Sequence, residues 1–177
     1  WDVSNVTDMT ALFAGASDFN QDIEEWDVSN VENMEVVFAG ASDFNTPLDG
    51  WNVSGVTDMD GMFASATSFN QDISSWDVSN VTSMANMFAG ATSFNQDISS
   101  WTFNTGNRFF TTFITNSNYN PNYYDNLLIA LDTQFTGSGP SGYGKLELYG
   151  VNYTSTGSSA RASLVSKGWL IIDGGII

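Results

Sequence analysis

The sequence predicts an α/β solenoid: five coils of 25 residues with parallel strands and short helices, closed by an α/β C-terminal cap. Three observations predict it. Tryptophan recurs at Trp1, Trp26, Trp51, Trp76 and Trp101, a strict period of 25. Apolar residues fall in matching columns: Met9, Met34, Met59, Met84 and Phe109 form one, and Phe13, Phe38, Phe63, Phe88 and Phe113 another. Beyond about residue 120 the period is lost and ordinary helical and strand patterns take over. A period of 20–50 residues marks units that bury their apolar side only by stacking on their neighbours. The boundaries follow: a repeat solenoid at 1–120, with units 1–25, 26–50, 51–75, 76–100 and a degenerate 101–120, then a capping unit at 121–177.

Within a unit the period changes. Around the tryptophan it alternates: Trp26 and Val28 point inward and Asp27 outward, the pattern of a short strand. Further on, Val6, Met9, Phe13 and Ala16 lie at i, i+3, i+7 and i+10, one face of a helix. Asn5 or Thr7 would cap that helix, and Asp8 suits its first turn. Each coil therefore reads as strand, turn, short helix and return loop, and strands joined this way run parallel. The fifth unit drifts: Gly106 and Asn116 replace the valine and alanine of the other units, and Arg108 is the only base in any repeat. The cap reads as a helix at Tyr123–Gln134, a loop at Gly137–Gly144, a strand at Lys145–Tyr149, a helix at Ser158–Lys167 and a strand at Trp169–Ile172. It covers the last apolar coil face. Nothing comparable precedes Trp1, so the first coil is expected to be bare toward a partner, another copy or further repeats.

The repeated string WDVSNVTDMTALFAGASDFNQDI, with its later copies, resembles the BspA-like, or Mycoplasma-lipoprotein-type, leucine-rich-repeat family of bacterial surface proteins. The tail segments NYYDNLLIALDTQF and ARASLVSKGWLIIDGG resemble the terminal unit that closes such arrays. The resemblance implies a leucine-rich-repeat-like solenoid used for adhesion or ligand binding, extracellular at the bacterial cell surface as part of a larger protein. It implies no catalytic residues.

The residues themselves narrow the chemistry. The chain has no cysteine and no histidine. Disulfides and thiol nucleophiles are thereby excluded, and the commonest general base is missing. The net charge is −16. Residues 1–100 hold sixteen acids and no base, while residues 101–177 hold four of each. A surface of that sign repels nucleic acid and anionic lipid and favours cations or basic partners. No apolar run is long enough to span a bilayer, so no membrane insertion is expected. Because the acids follow the repeat instead of breaking it at one place, no enzyme is expected. A carbohydrate-binding or polysaccharide-active solenoid is the alternative reading.

In stacked coils a sequence column becomes a surface row with a spacing of ~4.8 Å. Asn20, Asn45, Asn70, Asn95 and Asn120 form one column, expected to be a buried amide ladder that satisfies backbone groups. A second column is Asp2, Asp27, Asn52, Asp77 and Thr102. A third is Asp22, Pro47, Asp72 and Asp97. Like charges at that spacing repel by roughly 1 kcal/mol in water and roughly 3–4 kcal/mol at an effective dielectric near 20. A divalent cation would offset this, and Ca²⁺ takes six to eight oxygens from carboxylates, carbonyls and water. The expected Ca²⁺ ligands are Asp2, Asp27, Asp77, Asp22, Asp72 and Asp97. The expected ligand face is Asp2, Asp27, Asn52, Asp77, Glu24 and Glu25. Its partner would be a protein or peptide, including a second copy joined through the acidic face or the open N-terminal end, or a glycan. Acids number six, five, three and two in units one to four, so the negative field is strongest at the N-terminal end.

Overall fold

The structure, a computed structural model, describes residues 1–106, 109–115, 118–136 and 144–177. Consecutive repeat units lie side by side and parallel. Asp8, Asn33, Asp58 and Ser83 are joined by parallel bridges, each residue 25 from the next. From there, alternate N–H groups cross to the following unit. Those of Met9, Ala11, Phe13 and Gly15 donate to the carbonyls of Asn33, Glu35, Val37 and Ala39 over 2.7–3.0 Å. The intervening N–H groups of Leu12, Ala14 and Ala16 close tight turns onto Met9, Ala11 and Phe13 at 3.1 Å. The cross-unit ladder repeats from residues 34–40 and from residues 59–65.

This pattern replaces the helix expected over Val6–Ala16. Two positions in each unit hold a left-handed backbone: Ala11, Val36, Gly61 and Asn86, and four residues on Gly15, Gly40, Ser65 and Gly90, with φ between 49° and 73°. An α-helix needs uninterrupted negative φ and spends each N–H on the carbonyl four residues back. Here alternate N–H groups are spent on the neighbouring unit instead. The apolar spacing survives, because successive tight turns still aim Val31, Met34, Phe38 and Ala41 inward, all buried. The expected strand position also moves. The bridges run through the Asp8 column, and the residues around Trp26 are not paired as strand.

Aromatic rings fill the interior. Phe13, Phe38, Phe63 and Phe88 stack with centroids 5.6–5.7 Å apart and planes within 9°. Phe19, Phe44, Phe69, Phe94 and Tyr119 form a second stack at 5.8–6.2 Å. Within each of the first four units the two stacks touch at 3.8–4.0 Å. Such pairs contribute roughly 0.5–1.5 kcal/mol each beyond their burial. The tryptophans lock adjacent turns of chain. The indole N–H groups of Trp51, Trp76 and Trp101 donate to the carbonyls of Ile23, Leu48 and Ile73 at 2.9–3.0 Å.

Regular elements cluster toward the C-terminal end: β1 (Phe88–Ala89), β2 (Phe109–Phe110), β3 (Ile114–Thr115), α1 (Pro121–Gln134), β4 (Lys145–Glu147), β5 (Asn152–Tyr153), α2 (Ser158–Ser166), β6 (Leu170–Ile172) and β7 (Gly175–Ile176). All strand pairs among the described residues are parallel: β1 with β3, β2–β4–β6 in that order, and β5 with β7. Between units four and five the register changes. Asn86, Phe88 and Gly90 donate to residues 25 positions on, where earlier units reach 24. The first ring stack ends there, with Phe113 turned 73° to Phe88.

The cap elements start and stop slightly differently from expectation. Helix α1 begins at Pro121, because the Asn120 side chain caps it and proline suits its first position. Strand β4 stops at Glu147, before the turn at Gly150 with φ 77°. Strands β5 and β7 were not expected at all. The expected loop falls mostly on residues 137–143, which lie outside the described residues, as do Arg108 and Asn116 of the fifth unit.

Candidate functional site

The Asp2 row is built from a local turn. The Asp2 carboxylate accepts from the Ser4 N–H at 3.0 Å and the Ser4 hydroxyl at 2.7 Å. Asp27 does the same with Ser29 at 3.1 and 2.6 Å, and Asn52 with Ser54 at 3.2 and 2.7 Å. Asp77 accepts from the Ser79 N–H at 3.0 Å. Short polar side chains favour such turns because they satisfy the backbone two residues on. The serine hydroxyl, followed by the backbone N–H, holds the Asp2, Asp27 and Asp77 carboxyls below the usual range. The Asp2 charge opposes that slightly at Asp27. All four side chains face solvent.

The second row is similar. Asp22, Asp72 and Asp97 accept from the N–H groups of Glu24, Ser74 and Ser99 at 2.9–3.1 Å. Asp97 also accepts from the Asn126 amide of α1 at 2.8 Å, and so belongs to the cap contact as well as to the row. Pro47 breaks this row in the second unit and is exposed. Glu25 is exposed and Glu24 half-buried. They belong to neither row, and the next unit places Asp49 and Gly50 at their positions.

The structure therefore aligns each carboxylate row along the repeats but turns one oxygen of each acid back into its own turn. Among the described residues, no three or more His, Cys, Asp or Glu side chains are grouped to hold a metal ion.

A third row lies on the bridge column and was not anticipated. Asp8 accepts from the Thr10 N–H and hydroxyl at 2.8 and 2.6 Å, Asn33 from the Glu35 N–H at 2.8 Å, and Asp58 from the Asp60 N–H at 2.9 Å. Asp60 in turn accepts from the Ala85 N–H and the Ser83 hydroxyl of the next unit. The readable signal was the same spacing as in the Asp2 row, an acid or amide two residues before a backbone N–H in need of an acceptor.

The asparagine column forms a ladder. The N–H groups of Asn45, Asn70, Asn95 and Asn120 donate to the preceding asparagine side-chain oxygen at 2.8–2.9 Å. It is not buried as expected: Asn20 and Asn45 are exposed and the others half-buried, because the turn they tie together lies at the surface.

No base among the described residues reaches the repeats. Lys145 pairs with Glu147, Arg161 with Asp173 and Lys167 with Asp132, all inside the C-terminal part. Arg161 also lies 5.2 Å from the Tyr153 ring centre, and Tyr124, buried, donates to the same Asp173. Two concavities touch the rows. One, of about 310 Å³, opens at the first unit between Trp1, Phe13, Phe19, Asp22, Ile23 and Trp26. The other, of about 370 Å³, is lined by Ser74, Ser75, Trp76, Asp77, Ser79, Ser100 and Thr102, mostly hydroxyls.

The family described as "Mycoplasma protein of unknown function, DUF285" matches residues 1–101 and, overlapping, 44–127. The chain belongs to this family. Its two matches cover every repeat and stop inside α1, so most of the cap lies beyond them. DUF285 is related to the Mycoplasma and BspA-like repeat surface proteins. No curated protein and no solved structure matches the chain. Among the described residues no helix is long and apolar enough to cross a membrane.

Proposed function

We propose that this DUF285 chain is a leucine-rich-repeat-like solenoid serving as a non-catalytic adhesion and ligand-binding module of a bacterial surface or secreted protein. The reading is supported by the side-by-side parallel units and by the family. One observation carries it: the surface rows Asp2–Asp27–Asn52–Asp77 and Asp22–Asp72–Asp97, exposed except for half-buried Asp97, have no basic residue beside them among the described residues. Rows of unneutralised carboxylates on an extended surface suit a basic protein or peptide segment. Rim charges of this kind set the rate and salt dependence of encounter more than the affinity.

The test is calorimetric titration of the intact chain with a lysine- and arginine-rich peptide and with a neutral peptide of equal length. The basic peptide binds, and binding weakens steeply between about 50 and 300 mM salt. The triple variant Asp2→Asn, Asp27→Asn, Asp77→Asn loses about tenfold in affinity, which is the loss of about 1.4 kcal/mol. Equal binding of the two peptides removes the proposal. A calcium titration is the second arm. Calcium held by these rows binds in roughly the 10⁻⁴–10⁻³ M range expected of extracellular sites, and the same triple variant abolishes the heat. No heat with the unaltered chain ends the calcium reading and leaves the basic partner standing.

A glycan is the second reading. It is favoured by the hydroxyl-lined hollow beside Asp77, whose serines and threonine offer the paired donors and acceptors that sugar hydroxyls need.

A further inference from the structure

We infer that the hydroxyl-lined hollow beside Asp77 takes a single sugar ring that carries a free amine, an N-unsubstituted hexosamine, in preference to the N-acetylated ring. The inference rests on the glycan reading of that hollow and narrows it, because most of the hydroxyl hydrogens there are already spent.

Two consecutive turns of chain build the hollow. Ser74, Ser75, Trp76, Asp77 and Ser79 come from one turn, and Ser100 and Thr102 stand 25 residues beyond Ser75 and Asp77. Earlier turns hold other groups at these positions: Glu24, Glu25 and Asp27, then Asp49, Gly50 and Asn52. A single carboxylate ringed by hydroxyls is therefore particular to this junction. The volume of about 370 Å³ lies at the small end of the roughly 300–1,000 Å³ range of ligand pockets, which suits one ring.

The direction of each hydroxyl decides what the hollow asks of a ligand. The Ser100 hydroxyl donates to the Ser74 carbonyl at 2.9 Å, and the Ser75 hydroxyl to the Asp49 carbonyl at 3.5 Å. Those of Ser74 and Ser79 turn to Asp72 and Asp77. A serine that has spent its one hydrogen offers a ligand chiefly lone pairs. Asp77 spends Oδ1 on the Ser79 N–H at 3.0 Å, and its Oδ2 has no partner among the described residues. The exposed Thr102 hydroxyl, likewise without a partner there, is left to donate. The lining thus presents acceptors around one negative charge, and no base among the described residues lies beside it.

The complement of such a lining is rich in donors and singly positive. A ring ammonium supplies three N–H donors and the charge, and the ring hydroxyls next to it supply further donors. N-acetylation removes the charge and sets a carbonyl against acceptors, which leaves both unpaired. A lysine side chain brings the same ammonium but no hydroxyls for the remaining acceptors. Trp76 offers no ring face for stacking: it is 3% exposed, and its indole N–H is spent on the Leu48 carbonyl at 3.0 Å. Selection therefore falls to the polar groups.

The test is calorimetric titration of the intact chain, at about 150 mM salt to screen the distant acids, with glucosamine trisaccharide and with its tri-N-acetylated form. The amino trisaccharide is expected to bind about tenfold tighter or better. Asp77→Asn is expected to abolish that preference, and Asn52, which closes the same turn, shows that the substitution fits. Asp43→Ser is the charge control. It removes an exposed acid outside the rows and the hollow, and it installs the residue found at Ser68 and Ser93. The preference is expected to survive it within about twofold. Equal binding of the two trisaccharides upholds the glycan reading and overturns this inference, whereas no binding of either removes both. Equal losses in Asp77→Asn and Asp43→Ser reveal attraction to the overall acidic field and overturn the assignment to the hollow. A terminally blocked Gly-Lys-Gly peptide that binds as tightly, with the same dependence on Asp77, assigns the hollow to a protein partner and overturns it as well.

Discussion

Ala11 carries the clearest single-residue consequence of the fold. It is exposed and holds φ 57° in a column that includes Gly61. Left-handed backbone costs an L-residue roughly 1–2 kcal/mol, while glycine gives back part of that gain as unfolded-state entropy. Ala11→Gly is therefore expected to stabilise the chain by roughly 0.5–1 kcal/mol, read from the urea midpoint. In a helix the same change would cost about 1 kcal/mol, so the sign alone separates the two backbones. The turn acids make a second residue-scale prediction. Asp2, Asp8, Asp27 and Asp77 lie below their ordinary value of 3.8, chiefly because a serine or threonine hydroxyl donates to them. A lowered folded-state pKa means stability that is fully present above the unfolded value and lost as pH falls through the folded one. Melting temperature should fall on acidification from about pH 4.5 to about pH 2.5, and less steeply in Asp27→Asn. Asn52, which closes the same turn without a titrating group, shows that the substitution fits.

At the scale of the element, the asparagine ladder joins surface turns to the cap. Asn70→Ala leaves the Asn95 N–H without its 2.8 Å acceptor. A half-buried donor left unpaired costs about 1–2 kcal/mol, measurable by denaturant unfolding. The ladder's last member changes role: the Asn120 oxygen accepts from the Asn122 N–H and starts α1. The columns of Trp, Met, Phe and Asn were legible because identical residues at a fixed period must meet identical neighbours. The outward Asp rows were legible for the same reason. The helix was misread because successive tight turns place Val6, Met9, Phe13 and Ala16 inward at helical spacing. Gly15, Gly40 and Gly90 hinted at left-handed backbone, but Ala11 and Val36 gave no sign of it. The local duties of the acids were written in pairs such as Asp2 and Ser4, while their relation to a ligand has no local signature. Asp97's contact with Asn126 was invisible because it spans 29 residues and depends on how the cap docks.

Over the whole molecule, charge and closure are divided between the two ends. Sixteen acids without a base occupy the first hundred residues, and the described bases are all paired with acids beyond residue 130. Mutual repulsion among those acids is weakened when added salt shortens the screening length from roughly 20 Å to roughly 6 Å. Melting temperature is accordingly expected to rise between about 20 and 300 mM sodium chloride, and a fall would show that the few C-terminal ion pairs dominate instead. At the other end, helix α1 is tied to the fifth unit. The Gln134 amide of α1 accepts from the Phe103 N–H at 2.8 Å and donates to the Trp101 carbonyl at 2.9 Å. Helix α1 holds the chain only from Asp97 onward, so its contacts place no demand on how many units come before that point. Tandem duplication or loss of 25 codons ahead of residue 76 would leave the Gln134 and Asn126 contacts in place.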